Sequence, residues 1–162
     1  MIRAALLILA TALPAQAEDC TQITASFDLC LAGTTMEGAY IEQFGDGSRL
    51  ELSEVSLDYI EPYAGRGTGT LAEDMAAFNA AFEIPAEAVL RSATHEASNR
   101  AAFIEVINDP HSTRRNARAV VELERTRILL IYGAPWDAWP ESLEEGVLEM
   151  ANALQLRCPG GC

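Results

Sequence analysis

An α+β fold is what this sequence predicts: a mostly antiparallel sheet with two main amphipathic helices packed on it, in a single domain. Three observations predict it. From Phe27 to Tyr132 much of the chain alternates apolar and polar residues with the period of two that marks half-buried strands. Twice that period gives way to a helical one, after Thr70 and after Ser142. No repeat, low-complexity tract or linker interrupts the 162 residues, so strands and helices are expected to share one core.

The chain opens with MIRAALLILATALPAQA, residues 1–17. Arg3 supplies a positive start, Ala4 to Leu13 an apolar run, and Ala15-Gln16-Ala17 a small-x-small cleavage triplet, which is the layout of a secretory signal peptide. The apolar run is about half the roughly 20 residues a membrane-spanning helix needs. The expected mature protein is therefore a single exported domain of residues 18–162, periplasmic if the source is a Gram-negative bacterium, with no membrane insertion after cleavage.

SFDLCLAG reads as the first strand, with Phe27, Leu29 and Leu31 on one face and Asp28 and Cys30 on the other. In GAYIEQFGDGSRLEL, Tyr40 and Phe44, then Leu50 and Leu52, flank a Gly-Asp-Gly turn, a hairpin signal. Val55, Leu57 and Tyr59 continue the alternation. Leu71, Met75, Phe78 and Phe82 fall on one helical face, and Thr70 with Glu73 forms a capping box. Val89 to His95 and AAFIEVI (101–107) read as strands. NDPHSTRRN is a polar turn leading into ARAVVELERTRILLIYG, two strands joined near Arg125. The second of these is apolar on both faces from Ile128 to Tyr132, so it is expected at the centre of the sheet. After GAPWDAWPE, Ser142 and Glu145 suggest a second capping box, and Leu143, Val147, Met150 and Leu154 a buried helix face.

In an exported chain, Cys20, Cys30, Cys158 and Cys162 imply two disulfides with three possible connectivities. Chain entropy favours bridges between the ends: about 5 kcal/mol for a loop of ~130 residues, against about 2 for closing CPGGC. Cys158 and Cys162 are accordingly expected to bond to the N-terminal pair. The Pro159-Gly160-Gly161 turn leaves local closure possible.

Charge excludes several functions. The chain holds 24 acids against 11 basic residues, all arginine, for a net charge of −13. Such a surface repels nucleic acid and anionic membranes. The absence of lysine excludes Schiff-base chemistry and a phosphate-loop lysine. AGRGTGT (64–70) lacks the Lys-Ser/Thr ending of a phosphate loop, and HEASN (95–99) lacks the second histidine of a zinc-protease motif. No metal or cofactor is expected. A hydrolase would have to recruit His95 or His111, the only histidines, and no G-x-S-x-G accompanies them.

Two segments are left as candidate sites for a small molecule or a protein partner in the envelope. PHSTRRN gathers His111, Arg114 and Arg115, and arginine forks suit carboxylate or phosphate. As the tip of a hairpin it also reads as a solvated turn, the commoner role of such a segment. PWDAWP places Trp136 and Trp139 between two prolines, where tryptophans either cap the edge of the core or form a binding hot spot.

The succession FDLCLAG, hairpin, amphipathic helix, AAFIEVI…ARAVVELERTRILLIYGAP and SLEEGVLEMANAL resembles the PsbP-like superfamily over residues 26–156. That group includes photosystem II extrinsic proteins and small bacterial envelope proteins of the DcrB type. The resemblance implies an exported accessory or binding protein without catalytic machinery. The alternatives are a small periplasmic hydrolase and an envelope assembly or stress factor acting on other proteins.

Overall fold

A computed structural model describes residues 20–45, 47–60 and 69–157. The expected signal peptide (1–17), most of AGRGTGT, and both Cys158 and Cys162 lie outside the described residues. Along the chain run β1 (Thr21–Gln22), β2 (Phe27–Leu29), β3 (Tyr40–Phe44), β4 (Gly47–Leu52), β5 (Val55–Ile60), α1 (Leu71–Ala81), β6 (Val89–Ala97), β7 (Arg100–Ile107), β8 (Arg115–Leu123), β9 (Thr126–Ala134), α2 (Pro140–Ala153) and β10 (Leu154–Leu156). The architecture is α+β, mostly antiparallel sheet. No helix among the described residues is long and apolar enough to cross a membrane.

Seven strands form the main sheet in the order β3-β4-β5-β9-β8-β7-β6. β9 lies at its centre, as its two-faced apolar run predicts: Ile128 and Leu130 are buried on one face and Leu129 on the other. The β8–β9 turn consists of Glu124 and Arg125, both with positive φ (47° and 75°). That two-residue geometry matches the twist of the strands it joins.

Side-chain alternation sends neighbouring residues of each strand to opposite faces of the sheet. On one face Ile104, Ala117, Ala119, Val121, Ile128 and Leu130 cluster with Leu143, Val147 and Met150 of α2. On the other, Val120 and Leu129 cluster with Met75 and Phe78 of α1. The two helices therefore contact opposite faces. Gly146 brings α2 close, since a Cβ there would stand 2.7 Å from the Tyr132 ring. The Thr70–Glu73 capping box starts α1 as expected.

Two local expectations need correction. The second helix starts at Pro140 with Trp139 as its cap residue and no side-chain cap. Proline suits the first helical position because its missing N–H would be unpaired there anyway. Ser142 instead donates its hydroxyl to the Trp139 carbonyl at 2.8 Å. The expected β3–β4 hairpin is present, and its β3 residues Tyr40 and Phe44 are exposed, at 71% and 43%. Ile41, paired with buried Leu50, is the one that turns inward, as befits a strand at the sheet edge. Leu154 is buried, but it opens β10 rather than closing the helix face.

β2 belongs to a separate three-stranded sheet, in the order β1-β2-β10. Its Phe27 and Leu29 are fully buried in the α2-side core. Thr21 pairs with Leu29, and the next rung outward places Cys20 against Cys30, where they form a disulfide with Cα atoms 4.2 Å apart. This overturns the expected bridges from Cys20 and Cys30 to Cys158 and Cys162. A tight hairpin brings its own cysteines face to face whatever the entropy of longer loops. The tail still meets β2, chiefly through backbone: β10 pairs with it, Cys30 N–H donates to the Ala153 carbonyl and Arg157 N–H to that of Ser26, while the Arg157 guanidinium lies 3.5 Å from Asp28.

Candidate functional site

The β7–β8 connection is organised by one carboxylate. Pro110 has a fixed φ suited to the second position of a turn, and Ser112 N–H closes that turn on the Asp109 carbonyl at 3.2 Å. Asp109 Oδ1 accepts from His111 N–H at 2.8 Å. Its Oδ2 accepts from the Arg118 guanidinium at 3.0 Å and Asn116 Nδ2 at 3.3 Å. Ser112 Oγ then accepts from Arg114 N–H at 3.0 Å. A buried arginine in the middle of β8 thus anchors the loop that presents His111 and Arg114.

Arg118 is almost wholly buried, between the sheet and the Phe82 ring, whose centroid lies 5.1 Å from its guanidinium carbon. Burial lowers its pKa and the adjacent Asp109 opposes that shift. An arginine remains charged at neutral pH in either case. Its Nη1 also reaches Asn79 of α1 at 3.4 Å, and Asn79 donates to Glu105 at 2.6 Å. Its Nε has no hydrogen-bond partner among the described residues.

Beside this network the α1 face of the sheet opens into a cleft of about 520 Å³. β4, β5, β9 and β8 floor it, Phe82 forms a wall, and His111 to Arg114 form the rim. Arg49 donates to both carboxylate oxygens of Asp58, at 2.6 and 3.3 Å, and that contact raises the Arg49 pKa through hydrogen bonding and then charge. Arg114 Nη1 donates to Ser56 Oγ at 3.2 Å. Among the described residues Arg114 makes no ion pair. Gly133 keeps the floor low, because a Cβ there would stand 3.0 Å from Ser56 Oγ and 3.2 Å from Asn116 Oδ1.

The expected site residues fall into two groups. His111 and Arg114 share the cleft. Arg115, the first residue of β8, turns to the opposite face. There its Nε donates to Asn108 at 3.1 Å, its Nη1 to the Ala138 carbonyl at 2.5 Å, and its guanidinium lies 5.8 Å from the Trp136 ring centroid. Trp136 is 46% exposed and Trp139, at the start of α2, 78%. The structure thus joins the arginine segment to the tryptophan segment through Arg115. The sequence reading missed Ser56, Glu51, the Arg49–Asp58 pair and Arg118. Only Arg118 carries a local signal, a lone charge inside the apolar run ARAVV.

His95 lies away from the cleft, on the α2 face, 3.3 Å from Glu144 Oε1, with Arg91 on the same carboxylate. The hollow beside it is lined by no serine, threonine or cysteine among the described residues. In the cleft, Ser56 and Ser112 both accept hydrogen bonds from Arg114. A second hollow, of about 510 Å³, lies among the hairpin turns at the opposite end of β8, and there Arg100 is engaged by Asn152 and the Leu154 carbonyl. Among the described residues no group of three or more His, Cys, Asp or Glu is placed to hold a metal ion. Comparison with family models finds no match for this chain, and comparison with curated proteins finds none.

Proposed function

We propose that this chain is an exported, periplasmic binding or accessory module, a single domain without catalytic machinery, that holds a small polar molecule in the cleft on the α1 face. One observation carries the reading: Arg114. Its guanidinium is fixed by Ser56, lies in a concave site, and has no acidic partner among the described residues, whereas the neighbouring Arg49 and Arg118 are each paired. A positioned arginine with free donors is the usual anchor for a carboxylate or phosphate oxygen. The signal peptide and the Cys20–Cys30 disulfide support export, and the PsbP-like order of elements supports an accessory role.

The test compares small molecules retained from envelope extract by the mature domain and by Arg114→Ala, identified by mass spectrometry. Species enriched on the wild-type domain and lost from the variant are expected. Identical retention by the two overturns the reading. A second reading, docking of a protein partner on the Trp136–Trp139 surface, is favoured by the exposure of Trp139. It predicts a partner lost on Trp139→Ala and kept on Arg114→Ala.

A further inference from the structure

We propose that the cleft selects a small dipolar molecule, one carrying both a carboxylate and an ammonium group, with Arg114 receiving the carboxylate and Glu51 the ammonium. This rests on reading the cleft as the binding site. Six charged side chains line it: Arg49, Arg114, Arg118, Glu51, Asp58 and Asp109. Four of them close on one another, Arg49 with Asp58 and Arg118 with Asp109. One cation and one anion remain, and neither makes an ion pair within 4 Å among the described residues. Glu51 acts on Arg49 only as a distant charge.

Strand register places the two remaining charges. Glu51 stands opposite Ser56, Ser56 opposite Gly133, and Gly133 opposite Asn116, so the four form one row across β4, β5, β9 and β8. Adjacent strands are about 4.8 Å apart, so the row spans about 14 Å. Arg114 enters from the β8 end and reaches Ser56. Glu51 lies on the far side of Ser56, one strand further on. Gly133 adds no side chain to the middle of the row, so the Arg114 side chain crosses there, its Cδ 3.6 Å from where a Cβ would stand.

Competing ligand classes fit this arrangement poorly. A multiply charged anion would gain Arg114 but face Glu51 and a protein of net charge −13. A simple cation would gain Glu51 but meet the Arg114 guanidinium. A molecule with both charges gains at each end, and it also separates two side chains that do not contact each other directly. Selectivity would then come from complementarity to both charges rather than from overall attraction.

Titration calorimetry of the mature protein with four probes tests this: L-alanine and 4-aminobutyrate, dipolar with short and long spans, butyrate, which has only the carboxylate, and butylammonium, which has only the amine. At least one dipolar probe is expected to bind tenfold or more tightly than both single-charge probes. Glu51→Gln should reduce that probe to the level of butyrate while leaving butyrate binding unchanged. Arg114→Gln should reduce it to the level of butylammonium. Thermal melts of both variants, whose altered groups are at the surface or half-buried, verify that each still folds. Equal affinity for butyrate and the dipolar probes, no effect of Glu51→Gln, or no binding of either dipolar probe overturns the proposal. If Arg114→Ala still loses its envelope ligand in that case, the binding reading survives and only the dipolar selectivity falls.

Discussion

The two faces of the main sheet are built from the same strands and do opposite things. On the α2 face β8 contributes Ala117, Ala119 and Val121, all fully buried, and the helix closes over them. On the α1 face the same strand contributes Asn116, Arg118, Val120 and Glu122, and only Val120 clusters with the helix. Length explains part of the difference. α1 has 11 residues and is about 16 Å long, whereas a nine-residue strand such as β8 or β9 extends about 30 Å. No placement of so short a helix covers the whole face. The uncovered half has to be polar, and there the charges can be arranged to receive a ligand.

The largest effect is expected where the polar face depends on a buried pair. The side chains of Arg118 and Asp109 are 3% and 10% exposed, so Asp109→Ala leaves an uncompensated guanidinium and frees the 109–114 loop. A loss of roughly 3–5 kcal/mol in urea unfolding is expected. Replacing both, Asp109→Ala with Arg118→Met, should restore a large part of it, because the unpaired charge goes with its partner. If the double variant is no more stable than the single one, the pair is not what holds this face together.

The apolar face should respond to volume instead. Leu143 is fully buried against the sheet, and Leu143→Ala is expected to lower unfolding free energy by about 3 kcal/mol through lost burial and a residual cavity. Binding in the cleft on the other face should be unaffected in the protein that remains folded. A cleft defect in Leu143→Ala would show that the two faces are coupled through β8.

Much of the element order was legible in the sequence, because its signals are local. RILLIY marks a strand buried on both sides, and Thr70 with Glu73 marks a helix start; the structure has both. Side-chain direction and long-range pairing were less legible. The β3–β4 hairpin was read from its turn, but only the edge position of β3 decides that Tyr40 and Phe44 face water while Ile41 turns inward. The cysteines show the same limit. Loop entropy argued for the long bridges, while the short β1–β2 pairing that sets Cys20 against Cys30 leaves little trace in a two-residue strand. The cleft was half legible: His111 and Arg114 stand out on a polar turn, but Ser56 and Glu51 come from strands some sixty residues earlier. The separation of Arg114 from Arg115 follows from strand alternation, once β8 is known to begin at Arg115.

Tyr59 gives a smaller and pH-dependent contrast. It is fully buried on the α2 face, and its hydroxyl has no hydrogen-bond partner among the described residues. Burial pushes its pKa well above 10. Below pH 10 the phenol is protonated in both folded and unfolded chains and adds no pH dependence. Above it, the unfolded chain releases the proton while the folded chain retains it, so stability falls as pH rises toward the folded value. Tyr59→Phe is expected to flatten that alkaline decline and to raise neutral-pH stability by about 1 kcal/mol, since an unpaired buried hydroxyl is removed. Tyr132, also shifted upward, chiefly by burial, should leave a residual slope. An unchanged alkaline profile would mean that Tyr59 titrates normally.

The smallest stability effects belong to the tryptophans, and they separate two residues that the sequence offers as equals. Trp136 packs beneath the Arg115 guanidinium, which is itself held by Asn108 and the Ala138 carbonyl. Trp136→Ala should therefore lower stability by about 0.5–1 kcal/mol, the range for an exposed cation–π contact. Trp139 contributes its backbone to the start of α2, where Leu143 N–H and the Ser142 hydroxyl use its carbonyl, while most of its ring is in solvent. Alanine keeps that carbonyl, so Trp139→Ala should change unfolding free energy by less than about 0.5 kcal/mol, as surface substitutions do. Denaturant unfolding of the two variants side by side measures the difference. If Trp139→Ala proves the more damaging, its ring covers the core edge, and the surface it shares with Trp136 has a structural role in place of a docking one.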